Sequence, residues 1–90
     1  MATDRDALLA LAGMVESGSG LDNTLDVLVE IALFEPGDQF ASIRANAAGT
    51  KVIGATHDGR DVTFWAEDWT MNRPDTAAAL RALASQGERS

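Results

Sequence analysis

The chain begins with apolar residues spaced at the period of an α-helix. Between residues 3 and 17 the apolar positions follow the i, i+3, i+4, i+7 spacing that brings side chains onto one helix face: Leu8, Leu11, Ala12 and Val15. Thr3 is the expected N-cap, and Asp6 follows three residues later, as in a capping box. The Gly-Ser-Gly run at 18–20 ends the pattern, so a first helix is predicted over residues 3–17.

Residues 22–34 predict a second helix that is apolar almost throughout. Asp22 or Asn23 is the expected N-cap, and the Glu-Pro-Gly-Asp run at 35–38 is a break and turn. Because so little polar surface remains, we expect this helix to be central and covered on two sides. Its acidic exceptions recur at i, i+4 and i+8 and form one ridge along the helix: Asp22, Asp26 and Glu30.

The middle of the chain changes to the period of β-strands. Three extended runs are predicted over residues 40–45, 50–56 and 61–66. Turns at 46–49 and 57–60 separate them, and the Asp-Gly pair in the second turn is typical of a hairpin. These three strands are therefore expected to form an antiparallel meander.

A C-terminal helix completes the pattern. Pro74 to Thr76 open it, and it is predicted over residues 77–85 with its end near Gly87. The predicted order is α-α-β-β-β-α in a single domain, residues 1–90. Because no helix lies between the strands, a parallel sheet is excluded. The predicted fold class is α+β, a three-stranded antiparallel sheet packed by helices.

The composition allows only a modest core. Sixteen of the apolar residues are alanine, so large apolar side chains are few in a chain of 90 residues. The stability of so small a domain is expected to be marginal, or shared with a partner. The net charge of −7 is concentrated in one stretch, since residues 6–43 contain seven acidic residues and no basic one.

Several function classes are disfavoured on these grounds. The chain has no cysteine, one histidine at a predicted turn (His57), and no acidic loop with calcium-ligand spacing, so we expect no cofactor, no metal and no enzymatic activity. An acidic chain lacks the clustered Lys and Arg that direct binding to nucleic acid or to anionic membranes requires. No signal peptide or transmembrane segment is recognised, so the expected location is the cytoplasm, in a host bacterial cell.

The acidic ridge of the second helix allows three interpretations. It can be a solvated face, a docking surface for a basic partner, or, least favoured, part of a cation site. In the docking interpretation the partner-binding acids are Asp22, Asp26, Glu30, Glu35 and Asp38.

Two tryptophans give a second candidate surface. Along the third strand Val62, Phe64 and Ala66 form the expected core face, which leaves Trp65 on the opposite face. If helices cover both faces, Trp65 belongs to the core. Alternatively Trp65 or Trp69, beside Glu67 and Asp68, is an interface anchor. The neighbouring Arg60 and Arg73 are expected to be ordinary surface charges.

Two terminal segments resemble a known family. The run of residues 8–12, then Val15-Glu16, Gly18, Gly20 and Leu25-Asp26 before an apolar helix, is similar to the N-terminal pattern of the phage ABA sandwich domain. Residues 76–83 resemble the closing helix of that family, whereas the short middle of the chain departs from its pattern. The resemblance implies a phage or prophage origin and transfers no functional residue.

The sequence therefore favours two functions. The first is a non-enzymatic phage protein that mimics DNA and inhibits a host nucleic-acid-binding defence complex, as anti-CRISPR and anti-restriction proteins do, by occupying its basic surface. The partner would be a CRISPR effector or a nuclease. The alternative is a small oligomeric structural or virion-associated protein, in which a homodimer completes the apolar second helix.

Overall fold

Two helices from opposite parts of the chain pack against each other. The computed structural model describes residues 5–88, and in it α1 (Arg5–Ser17) lies along α3 (Arg73–Glu88). The core between them is buried and consists mainly of small side chains: Leu8, Ala12, Val15, Ala77, Leu80 and Ala84. Alanine at these positions lets the two backbones approach closely, and this explains how an alanine-rich chain builds a core. The expected Thr3 cap lies outside the described residues.

The second helix, α2 (Asn23–Leu33), joins this helix pair to the sheet. It contacts α1, α3 and two strands of the sheet, so the expectation of a central helix is confirmed. Val27 and Val29 are its most deeply buried residues. Asp22 is the N-cap, since its Oδ1 accepts a hydrogen bond from the Leu25 backbone N–H at 3.1 Å.

The sheet is a three-stranded antiparallel meander in the order β1 (Ser42–Ala45), β2 (Val52–Ala55), β3 (Asp61–Phe64). Val52 pairs with Ala45 and Phe64, and Gly54 pairs with Ile43 and Val62, so these six residues share one face. The β2 residues on this face are buried, and Phe40 stacks on Phe64 with ring centroids 5.4 Å apart. The predicted fold, α+β in the order α-α-β-β-β-α, is confirmed.

Both predicted turns are present. Gly49 and Gly59 each have a positive φ, of 71° and 92°, which L-residues with side chains rarely adopt. The Asn46 side chain closes the first turn, because its Oδ1 accepts hydrogen bonds from the backbone N–H groups of Thr50 and Lys51.

The C-terminal third differs from its prediction in two respects. A short 3-10 helix, Trp69–Asn72, leads directly into α3, which begins at Arg73 and places Pro74 at its second position. Proline is tolerated there because the first turn of a helix has no intrahelical partner for its N–H groups. Gly87 does not end the helix, since one glycine costs only about 1 kcal/mol relative to alanine.

Candidate functional site

The acidic ridge of α2 faces the 3-10 helix. Asp26 is only 3% exposed, and its Oδ1 accepts hydrogen bonds from the Thr70 N–H at 2.7 Å and the Thr70 hydroxyl at 2.8 Å. One turn further along, Glu30 Oε1 accepts hydrogen bonds from the Trp69 indole Nε1–H at 2.8 Å and the Glu67 N–H at 3.1 Å. The ridge therefore holds residues 67–70 against α2.

The interpretations of the ridge as a solvated face or as a docking surface do not fit Asp26. Asp26 is buried, and the other two are half-buried. The spacing i, i+4, i+8 places side chains on one helix face, but it does not determine whether that face meets solvent or another segment. Here the face meets N–H and O–H groups of the same chain, so these carboxylates act as internal hydrogen-bond acceptors.

The segment held in this way forms one wall of a concave surface. A cavity of about 420 Å³ lies between residues 67–69 and the first turns of α3. We call it the acidic cleft. It is lined by three exposed acids, one indole and three smaller residues: Glu67, Asp68, Asp75, Trp69, Asn72, Thr76 and Ala79.

Hydrogen bonds fix the floor of the acidic cleft. The Thr76 hydroxyl donates to the Trp69 carbonyl oxygen at 2.7 Å, and Thr76 is 5% exposed. Asn72 Nδ2 donates to Asp75 Oδ2 at 2.8 Å. Because the 3-10 helix is bound to α2 and to α3, the carboxylates are presented from a rigid frame.

The acids of the cleft have no cationic partner within the described part of the chain. By contrast, Glu16 pairs with Arg81, Asp61 with Arg44 and Asp58 with Arg60, at 2.8, 2.8 and 3.3 Å. A hydrogen bond from Thr56 lowers the pKa of the Asp58 carboxyl, and Arg60 adds to that effect. Unpaired negative charge therefore collects at the cleft, whereas these surface acids are neutralised in pairs.

The structure brings some of the predicted site residues together and separates others. Glu67, Asp68 and Trp69 meet in one cleft, where Asp75 joins them although the sequence did not single it out. Glu35 and Asp38 are exposed on the connection between α2 and β1 and do not line the cleft. The local signal for Asp75 was its position in the first turn of a helix, where acids are common for reasons unrelated to binding.

Trp65 directly follows β3 and is exposed. Its side chain is 65% exposed, and Lys51 Nζ lies 4.6 Å from the ring centroid. The interpretation of Trp65 as a core residue is wrong, because most of its side chain is exposed. Its exposure is compatible with an anchor role, but it does not line the cleft.

Arg73 is not a surface charge. Its guanidinium donates to three backbone carbonyls, that of Val15 in the last turn of α1 and those of Ser19 and Gly20 beyond it, the shortest at 2.7 Å. It is 9% exposed, and its charge lies where the dipole of α1 favours a cation. A lone arginine before Pro74 gave no sequence signal for this role.

The described residues include neither a metal-binding cluster nor a histidine that lines the cleft. Within residues 5–88 no three His, Cys, Asp or Glu side chains are grouped so as to hold a metal ion. His57 lies outside the cleft, with Nε2 2.6 Å from the Gly37 carbonyl oxygen. None of the helices in this range has the length and apolar character needed to cross a bilayer.

Comparison of the chain with protein-family models, with curated proteins and with solved structures found no match. The resemblance of its terminal segments to the phage ABA sandwich domain stays a prediction.

Proposed function

We propose that this chain is a non-enzymatic binding protein that docks its acidic cleft on a basic surface of another protein. The observation that supports the proposal is the meeting of three exposed acids, none of them in an ion pair with the described residues, beside one indole: Glu67, Asp68, Asp75 and Trp69. Carboxylates beside an aromatic ring suit the Arg and Lys side chains of a partner, which gain ion pairs and cation–π contacts.

The partner that best fits this surface is a protein that normally holds DNA or RNA. Such proteins expose clustered Arg and Lys to neutralise phosphates, and an acidic cleft presents a similar charge to the same groups. The proposed role is therefore inhibition by occupancy, with a phage protein acting against a CRISPR effector or a nuclease of its host. The binding surface is the acidic cleft, because the ridge of α2 is engaged internally.

Capture from a bacterial lysate, followed by competition, tests the proposal. The immobilised protein should retain a nucleic-acid-binding protein, and added duplex DNA or moderate salt should release it. Identification of the captured protein is followed by a nuclease or DNA-binding assay, in which the chain should inhibit.

Two matched variants show whether the cleft is responsible. Glu67→Gln/Asp68→Asn removes two charges from the cleft, and Glu35→Gln/Asp38→Asn removes two charges from the α2–β1 connection. The proposal expects the first pair to abolish capture and inhibition and the second to reduce them only slightly. Equal losses would show that total charge, rather than the cleft, drives binding. Capture that persists with the cleft variant would overturn the proposal.

A small oligomeric structural or virion-associated protein is the second candidate. The observation that favours it is the exposed side chain of Trp65 at the end of β3. Sedimentation equilibrium of the wild type and of Trp65→Ser distinguishes the two. A homodimer that depends on Trp65 would support the structural role.

A further inference from the structure

A second cavity adjoins the 3-10 helix and carries the most exposed apolar side chains near the acidic cleft. It measures about 340 Å³, and we call it the apolar pocket. Leu21 is 65% exposed and Met71 is 74% exposed, and both line it together with Pro74. Large apolar side chains that share one exposed concavity are a feature of protein interaction sites.

The two walls of the apolar pocket are bonded to each other. Arg73 Nε and Nη2 donate to the Gly20 carbonyl oxygen at 3.0 and 2.8 Å, and the Asp22 N–H donates to Thr70 Oγ1 at 2.8 Å. The loop that carries Leu21 is therefore fixed to the segment that carries Met71. A pocket already formed in the free protein avoids part of the ordering cost of binding.

The apolar pocket and the acidic cleft are adjacent faces of one segment. Met71 and Pro74 line the pocket, and Asn72 and Asp75, each one residue later, line the cleft. On a helix, successive residues point about 100° apart, so the residues that line the pocket and those that line the cleft lie on neighbouring faces. A partner bound in the cleft therefore lies next to the apolar pocket.

We infer that the partner docks through a segment in which an apolar side chain is flanked by basic ones. This rests on the proposed function and specifies its partner: the apolar side chain enters the pocket between Leu21 and Met71, and the basic side chains reach Glu67, Asp68 and Asp75. Charge complementarity selects this occupant over a second copy of the chain, since a copy with net charge −7 would be repelled by the cleft. Anchoring by the apolar group and steering by the charges would be separable contributions.

Two synthetic peptides test the inference: Arg-Arg-Leu-Arg-Arg and Arg-Arg-Ser-Arg-Arg. Their dissociation constants are measured by titration with ¹H–¹⁵N NMR spectra, at low and at moderate salt. Burial of the leucine side chain should make the first peptide bind about tenfold more tightly than the second. Leu21→Gln/Met71→Gln should abolish this difference and leave the serine peptide unaffected. Both substituted residues are exposed, so the fold should be retained.

The outcomes separate this inference from the function on which it rests. Equal, salt-dependent binding of both peptides to the wild type would overturn the apolar anchor and leave the acidic docking function standing. No salt-dependent binding of either peptide would count against both. Self-association of the wild type that Leu21→Gln/Met71→Gln abolishes would assign the pocket to a second copy and overturn the inference.

Discussion

The carboxylate of Asp26 accepts two hydrogen bonds from Thr70, one from the backbone N–H at 2.7 Å and one from the side-chain hydroxyl at 2.8 Å. The same hydroxyl oxygen accepts the Asp22 N–H at 2.8 Å. Asp26 and Thr70 are each 3% exposed, so these polar groups satisfy one another away from solvent. The pair holds the 3-10 helix on α2, and the acidic cleft depends on it.

Asp26→Ala should destabilise the fold by about 2–4 kcal/mol, because it leaves the buried N–H and O–H of Thr70 without an acceptor. Asp26→Asn keeps an oxygen at the same place and should cost about 1 kcal/mol. Urea unfolding followed by circular dichroism measures both. If the two variants lose the same free energy of unfolding, the hydrogen bonds to Thr70 are not what stabilises this junction.

Arg73→Lys should cost about 1–3 kcal/mol, because one ammonium cannot reach the three carbonyls that the guanidinium fork bridges. Gly18→Ala should disturb the same contact, since a Cβ there would lie 2.5 Å from Arg73 Nη1. Gly13→Ala is the matched control: it has open space on α1, so helix propensity predicts a gain of up to about 1 kcal/mol. Thermal unfolding compares them. Equal effects of the two alanines would contradict the close contact with Arg73.

The Glu16–Arg81 pair should make stability depend on pH in the acid range. Arg81 Nη1 and Nη2 donate to the two oxygens of Glu16 at 3.0 and 2.8 Å. These hydrogen bonds, with the charge of Arg81, lower the pKa of Glu16, and the same contacts raise the pKa of Arg81.

Because the folded-state pKa of Glu16 is lowered, its contribution is present above the ordinary, unfolded-state pKa of a glutamate and is lost as the pH falls through the folded-state pKa. Glu16→Gln should therefore be less stable than the wild type at pH 7 and should converge with it in more acidic solution. Arg81→Gln should show the same convergence. A constant difference from pH 7 to pH 2 would argue against the ion pair.

The two tryptophans should give distinct fluorescence signals. Trp65 is exposed, with Lys51 Nζ over its ring, whereas Trp69 is half-buried and donates a hydrogen bond to Glu30. Trp65→Phe should leave a blue-shifted emission that iodide quenches poorly. Trp69→Phe should leave a red-shifted emission that iodide quenches well. Similar quenching of the two variants would contradict the difference in exposure between the two tryptophans.

Addition of a basic partner should change the emission of Trp69 more than that of Trp65.

Local chemistry made most of the fold predictable. The Asp58-Gly59 pair identified the second hairpin, and the i, i+3, i+4, i+7 spacing identified α1, because each depends on residues close together in the chain. The 3-10 helix was missed since its hydrogen-bond partners, Asp26 and Glu30, lie about forty residues earlier in the chain. For the same reason the ridge was interpreted as a surface.

The site was predictable only in part. Glu67, Asp68 and Trp69 are candidates from the sequence alone, because acids beside an aromatic residue form a local pattern. Asp75 and the apolar pocket needed the fold, since Leu21 and Met71 are fifty residues apart and become neighbours through the Arg73 and Thr70 hydrogen bonds.

The contact between Arg73 and the end of α1 also determines how late in synthesis α1 can pack. The carbonyls of Val15 and Gly20 accept hydrogen bonds from a guanidinium more than fifty residues later in the chain. The buried face of α1 packs against Leu80, which is later still. During synthesis α1 is therefore made before α3, and its packing against α3 must follow synthesis of that helix. A chain truncated before Arg73 should be cut readily by proteases, whereas one that extends beyond Ala84 should resist them.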